Sequence, residues 1–289
     1  MKTALTLCKE RKPTMKLQYL GTAAAEGIHA IFCECETCKT AMARGGRHIR
    51  TRSQALVNDD LLIDFPADTY LHYLTHRFPL HKIHHCLITH SHSDHLYPIE
   101  LEMRINGYAH LSDQSPMIFY SDTDGREKIQ AVIDAFRMTA VEVKGIELNK
   151  PFPVGDYTVT ALRAAHGKSS SPVVYIIEKD GKSLFYSNDT SEYPEESFAY
   201  LKTLQKPLDL ISLDCTEACN HHTYVGHLTL DRCIALREEL LRIGAADAHT
   251  RFVLNHFSHN GRNVSYDEFV KIAAEQDFLV SYDGMVVEI

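Results

Sequence analysis

The chain has 289 residues, 44% of them hydrophobic and 24% charged, enough to bury a full globular core. A formal net charge of −8 disfavours a broad nucleic-acid footprint, and no apolar run reaches the roughly 18 residues of a membrane span. Eight cysteines follow or accompany an N-terminus too polar after Leu7 for a secretory signal, which points to metal binding over a disulfide framework and to a cytoplasmic enzyme or binding protein.

In chain order, short runs rich in Val, Ile, Tyr and Phe alternate with amphipathic stretches. Residues 1–14 read as a loose extension and 15–289 as one domain. Strands are predicted in MKLQYLG, SQALV, DLLIDF, HCLIT and PMIFY, then in DYTVTALRA, PVVYIIEK and SLFYSND, and finally in DLISLDC, RFVLNHF and MVVEI. Asp180-Gly181, between PVVYIIEK and SLFYSND, supplies a hairpin turn. Helices are predicted in ADTYLHYLTHRF, GREKIQAVIDAFRM, PEESFAYLKTLQ, LTLDRCIALREELLRIG and SYDEFVKIAAEQ. Ser265 and Glu268 stand at capping-box spacing, and Asp231 and Gly244 suit the start and end of their helix. The fold class is mixed α/β.

Chemistry concentrates at the ends of the predicted strands. HSHSDH places His90, His92, Asp94 and His95 directly after the run CLIT, where a rigid strand gives way to a turn. Neutral imidazole and carboxylate suit zinc, manganese and iron. His90 and His92 reach one ion in this reading and Asp94 and His95 a second, with the two ions about 3.5–4 Å apart and sharing a bridging hydroxide. Further ligands are expected at other strand ends: His166 after VTALRAA, Asp189 after SLFYSN as the bridging carboxylate, and His256 after RFVLN.

A second cluster, FCECETCK, sets Cys33, Cys35 and Cys38 in C-x-C-x-x-C spacing, three-quarters of a tetrahedral zinc site. His259, three residues after His256 in NHFSHN, is the expected fourth ligand of this structural Zn2+. Of the other cysteines, only Cys215 and Cys219 invite consideration as ligands.

The order HxHxDH, His, Asp, His resembles the ligand order of the metallo-β-lactamase superfamily, from about Met15 to Ile289. That resemblance implies a four-layer αβ/βα sandwich with two divalent metals, Mn2+ or Zn2+, in a cleft between sheets. Histidine at position 92, where flavodiiron reductases of the same fold have glutamate, points to hydrolysis. GTAAAEG (Gly21 to Gly27), CECETC, HSHSDH, HFSH and YDGM (Tyr282 to Met285) together are similar to the PhnP-type cyclic phosphodiesterases of the bacterial carbon–phosphorus lyase operon.

What this narrower resemblance implies is a phosphodiesterase acting on ribosyl 1,2-cyclic phosphate or 2′,3′-cyclic nucleotides. His227, in VGHLTLDRC, takes the position of the family's catalytic histidine as general acid, with Asp94 the other catalytic residue and His221 and His222 as rivals to His227. Arg50 and Arg52 offer either a second phosphate contact or a solvated basic face. Phe65-Pro66 and Tyr97-Pro98 replace the glycines common in the superfamily, which is expected to stiffen the cleft mouth. The expected partner is a small phosphodiester, with no membrane, no extended nucleic acid and a homodimer left open. The competing functions are hydrolysis of a lactam or thioester carbonyl, RNA processing, and metal binding without turnover.

Overall fold

The computed structural model describes residues 14–167, 171–220, 226–262 and 264–289. The predicted extension at 1–14, apart from its last residue, and the rivals His221 and His222 lie outside the described residues.

The chain first lays down β1 (Lys16–Gly21), α1 (Glu36–Arg44), β2 (Gln54–Val57), β3 (Leu61–Ile63), α2 (Thr69–His76), β4 (His85–Leu87), β5 (Met117–Ser121), α3 (Thr123–Phe136) and β6 (Val141–Gly145). It then builds β7 (Phe152–Val154), β8 (Tyr157–Arg163), β9 (Val173–Lys179), β10 (Lys182–Ser187), α4 (Glu195–Leu201), β11 (Leu210–Asp214), α5 (Leu230–Arg242), β12 (Arg251–Asn255), α6 (Tyr266–Ala274) and β13 (Leu279–Val280). β14 (Val286–Glu288) crosses back to pair with β1. The result is two seven-stranded sheets, ordered β14-β1-β2-β3-β4-β5-β6 and β13-β12-β11-β10-β9-β8-β7.

The strands read as near-continuous apolar runs because both of their faces are covered. In β9, Val173, Tyr175 and Ile177 enter the core between the sheets with Leu17, Ile63 and Leu87. Their neighbours Val174 and Ile176 turn to the opposite face, against Leu201 of α4, Leu236 of α5 and Phe269 of α6. The outer face of the first sheet packs Leu62, Cys86 and Phe119 against Ile129 of α3. Helix, sheet, sheet, helix is the four-layer order expected.

Local signals act as predicted at the boundaries. Asp180 and Gly181 take φ of +52° and +78° between β9 and β10, as a two-residue hairpin turn requires. The capping box of Ser265 and Glu268 forms at α6. Four elements escape the pattern. α1 buries only Cys38 and Ala41, β6 is a largely exposed edge strand, β7 carries Pro153, and β13 spans two residues. α2 also departs from simple amphipathicity: it buries Thr69 and His72, while Tyr70, Leu71 and Leu74 are exposed.

Pro66 and Pro98 are not among the residues that line the cleft described below. The carbonyl of Pro66 accepts from Thr69, and Pro98 starts a short 3-10 turn. The backbones on either side are paired, with Phe65 N donating to His95 O at 2.7 Å and Tyr97 N to Phe65 O at 2.7 Å.

Candidate metal centre

Strand ends of both sheets meet at one edge. His90 to His95 follow β4 of the first sheet; His166, Asp189 and His256 follow β8, β10 and β12 of the second. Asp189 and His256 sit at φ of +49° and +64°, and Asp64, just past β3, at +66°. Such backbone costs about 1–3 kcal/mol per residue, which the surrounding structure must offset. All three are almost fully buried.

The hydrogen bonds behind the rings settle where their protons are. His95 Nδ1 is 2.6 Å from the Asp64 carboxylate, which can only accept, so Nδ1 donates and Nε2 is left with a bare lone pair. Thr89 Oγ1 gives its proton to Asp64, so His90 Nδ1 donates to Thr89 at 3.1 Å. Thr216 Oγ1 gives its proton to Asp214, so His256 Nδ1 donates to Thr216 at 2.7 Å. His166 Nδ1 donates to the carbonyl of Gly226 at 3.2 Å. That approach needs glycine: φ at Gly226 is +120°, and a Cβ there would lie 3.1 Å from His166 Nδ1.

Every inward nitrogen of these four rings is therefore an acceptor, and the inward carboxylates are acceptors too. His90 Nε2 and His166 Nε2 lie 2.9 and 3.3 Å from His92 Nδ1. Asp189 Oδ2 is 3.0 Å from both His95 Nε2 and His256 Nε2, and Asp94 is 3.2 Å from His95 Nε2. His95 Nε2, His256 Nε2 and Asp189 Oδ2 are buried without a hydrogen-bond partner. Acceptors crowded in a buried pocket call for positive charge between them, a metal ion or, failing that, a second proton on His95. The candidate ligands overlap in four groupings, His90-His92-His166, Asp94-His95-His256, His90-His95-Asp189 and Asp189-Asp214-His227-His256, and Asp189 approaches His166 as well as His95 and His256.

Titration follows the same logic. Burial drives the proton off His95, yet Asp189, Asp64 and Asp94 outweigh it and hold its pKa well above the usual histidine range. The pocket is negative enough to demand positive charge. Burial, reinforced by His95, keeps His90 neutral, the form that ligates, and burial does the same for His256.

Beside this pocket, His227 Nδ1 donates to Asp214 Oδ2 at 2.8 Å. The ring centroid of His227 is 4.8 Å from that of His166 and 5.6 Å from that of His256. Burial lowers the pKa of His227, but Asp214 and its hydrogen bond prevail and raise it to about 9. His92, Asp94, His166, Asp189, His227 and His256 line one cleft of about 390 Å³, within the size range of small-molecule sites.

The thiols of Cys33, Cys35 and Cys38 lie 3.2, 3.4 and 3.6 Å from His259 Nδ1, so the fourth residue does join the cysteine motif. Cys35 caps the start of α1, its Sγ accepting from Cys38 N. Burial raises the Cys35 thiol, and hydrogen bonds from His259, Cys38 and Cys33 more than reverse this, lowering it to about 6. Burial is the main reason Cys38 is raised to about 12. Four sulfur and nitrogen donors within bonding reach of one centre fit a tetrahedral ion.

Two sequence expectations need correction. Arg50 is neither a phosphate contact nor solvated: it is buried, donates to Thr22 Oγ1 and Ser281 O, and stacks on Phe257. Arg52 is held by Asp68 and by the carbonyl of Ala25. Cys215 and Cys219 join no ligand cluster among the described residues; burial raises both thiols. Sequence reasoning gave no role to Asp64, Thr89, Asp214 or Thr216. The signal that finds them is the one that found the ligands, a polar residue just past an apolar strand.

An α/β/β/α sandwich that collects histidines and aspartates at a shared strand-end edge is the metallo-β-lactamase fold. The profile of the beta-lactamase superfamily domain matches residues 61–257, more than half of the chain, and the chain belongs to that hydrolase family. It is similar to the crystal structure of a diphosphatase from the PhnP family, at 22% identity and TM-score 0.70, over 96% of this chain and 98% of that one. Zn(2+)-bound PqqB from Methylobacterium extorquens matches at 20% identity and TM-score 0.73, over 95% and 100%. Human tRNase Z, short form, matches at 18% identity and TM-score 0.63, over 94% and 98%. At these identities the likeness is one of fold. Among proteins of curated function, none matches the sequence. No helix among the described residues is long and apolar enough to cross a membrane.

Proposed function

We propose that the protein is a metal-dependent phosphodiesterase acting on small cyclic phosphodiesters, of the ribosyl 1,2-cyclic phosphate or 2′,3′-cyclic nucleotide kind. His90, His92 and His166 would hold one divalent cation, Asp94, His95 and His256 a second, and Asp189 would bridge them. Such ions, Mn2+ or Zn2+, lower the pKa of water towards neutrality and offset charge on phosphate oxygens. Cys33, Cys35, Cys38 and His259 would hold a structural Zn2+.

The observation that carries the reading is the His227–Asp214 pair set beside the ligand pocket. Asp214 fixes His227 with its Nδ1 proton turned inward, and itself accepts from Leu228 N and Thr216 N at 3.0 Å each. The proton the imidazolium has left to give is therefore the one on Nε2. Delivered to a departing alkoxide, it contributes about 10²–10⁴ in rate. Thioester hydrolysis uses the same parts less fully, since a thiolate leaves without help, whereas a lactam nitrogen needs the proton as much as an alkoxide does and is separated from it by the substrate panel. The likeness to a diphosphatase of the PhnP family supports chemistry at phosphorus.

A substrate panel tests this. Purified protein supplied with manganese or zinc should hydrolyse 2′,3′-cyclic nucleotides and bis(p-nitrophenyl) phosphate, and turn over a β-lactam and a thioester far more slowly. Preference for either carbonyl compound would reject the phosphodiesterase assignment.

A further inference from the structure

We propose that Glu26 is a positioning residue that ties the cysteine–histidine site to the wall of the catalytic cleft, so that an ion at the first sets how well the second receives an anion. The cleft half of this inference rests on the phosphodiesterase reading; the ion half does not.

Glu26 belongs to the cleft lining, together with Ser258 and Asn260. Its Oε1 accepts from Ser258 Oγ and lies 3.5 Å from His259 Nε2. The other nitrogen of that ring, Nδ1, faces the three thiols. A ligating imidazole is oriented by the acceptor behind its free N–H, and Glu26 stands where that acceptor belongs. One carboxylate oxygen thus touches the cleft wall and the back of a ligand to the other site.

The backbone makes the connection short. Ser258 lies between His256 and His259 in the chain, and Ser258 N donates to Thr216 O at 3.1 Å, while Thr216 Oγ1 receives the Nδ1 proton of His256. On the other side, Ala24 N donates to Phe257 O at 3.0 Å and Phe257 N to Thr22 O at 2.9 Å, which fastens the segment carrying Glu26 to the segment carrying both histidines.

Charge gives the link its consequence. A carboxylate in a cleft that takes a phosphodiester repels the substrate unless its charge is engaged elsewhere. Ser258 and His259 engage it, and its side chain is 31% exposed. When His259 is no longer fixed by an ion, or Ser258 loses its hydroxyl, the carboxylate is released towards the cleft and anion binding weakens.

Four variants separate the two halves: Glu26→Ala, Glu26→Gln, Ser258→Ala and the Ser258→Ala/Glu26→Gln double variant. With one zinc per chain left after mild chelation, competition with a chromogenic chelator reads retention at the thiolate site. Glu26→Ala should weaken retention about 10–100-fold, and Glu26→Gln and Ser258→Ala each by less. The Kd of inorganic phosphate and the KM of bis(p-nitrophenyl) phosphate then read the cleft. Ser258→Ala should raise both several-fold with kcat nearly kept, and the double variant should restore them, because the amide carries no charge. Thermal unfolding of each variant controls for misfolding. Unchanged zinc retention in Glu26→Ala overturns the proposal, as does a Ser258→Ala defect that Glu26→Gln fails to rescue. Absence of turnover in the unaltered protein would instead count against the phosphodiesterase reading, leaving zinc retention and phosphate Kd to decide the role of Glu26.

Discussion

The two ligand clusters solve the same problem in opposite ways. The cysteine site is local: three donors come from six consecutive residues and a helix start, and one long-range histidine closes it. The histidine–aspartate site is assembled from four separate strand ends on two sheets, and the rings of His90, His95, His166 and His256 are each braced from behind by an oxygen. A local cluster holds an ion by spacing and thiolate charge. A distributed one needs the whole sandwich to bring its donors together, and in return leaves room beside them for a cleft. On the proposed function, catalysis would belong with the second kind and stapling with the first.

The largest effect that would break this contrast is at Asp189, the carboxylate proposed to bridge the two ions. Asp189→Ala should lower phosphodiester hydrolysis by at least about 10³-fold, the loss of several kcal/mol of metal assistance, and elemental analysis should show the paired ions depleted while zinc at the cysteines stays. Retention of two catalytic ions in this variant would mean that Asp189 does not bridge.

Next in size is His227→Ala, expected to cost about 10²–10⁴ in kcat with metal content unchanged. Its pH dependence carries a sign that can be checked. Asp214 raises the pKa of His227 to about 9, so the acid form is present at neutral pH and is lost as pH rises. Nearby cations oppose this and pull the alkaline limb below that value. Asp214→Asn removes the raising charge, so the alkaline limb of the rate profile should move to lower pH; movement upward would deny the pairing.

Loss of the staple should be felt in stability more than in chemistry. Cys38→Ser removes a buried donor and should lower the unfolding temperature by several degrees, with the paired catalytic ions retained at saturating manganese. Equal loss of ions from both sites would show that the two clusters are not separate in the way their construction suggests.

The smallest effect is expected at Gly226. Gly226→Ala places a Cβ 3.1 Å from His166 Nδ1 at a φ that side chains rarely adopt, costing about 1–3 kcal/mol of local strain. Weaker binding of the ion at His90, His92 and His166, seen as a higher manganese concentration for half-maximal rate, is the expected result.

Much of this was legible in advance. Short apolar runs announced the strands, and the structure shows why they lack alternation, Val174 and Ile176 packing opposite to Val173, Tyr175 and Ile177. HSHSDH announced a cluster of donors, and the structure sets His90 and His92 beside His166 and Asp94 and His95 beside His256, while His90 and His95 also meet at Asp189. What stayed hidden had weak local signals. α1 shows little apolar periodicity, and β13 gains its identity only from the neighbouring β12. Arg50 looked like a surface cation because nothing in RGGRHIRTR reveals that Phe257 and Tyr266 will enclose it.

The sequence by itself determined which donor atoms exist and that they stand at strand ends, because side-chain chemistry and short-range periodicity are properties of neighbouring residues. Only the tertiary structure decided which nitrogen of His90, His95, His166 and His256 turns into the pocket. It also placed Asp214 behind His227 and Glu26 between the two sites. Those facts depend on atoms far apart in the chain brought within about 3 Å, the range over which a hydrogen bond fixes a proton.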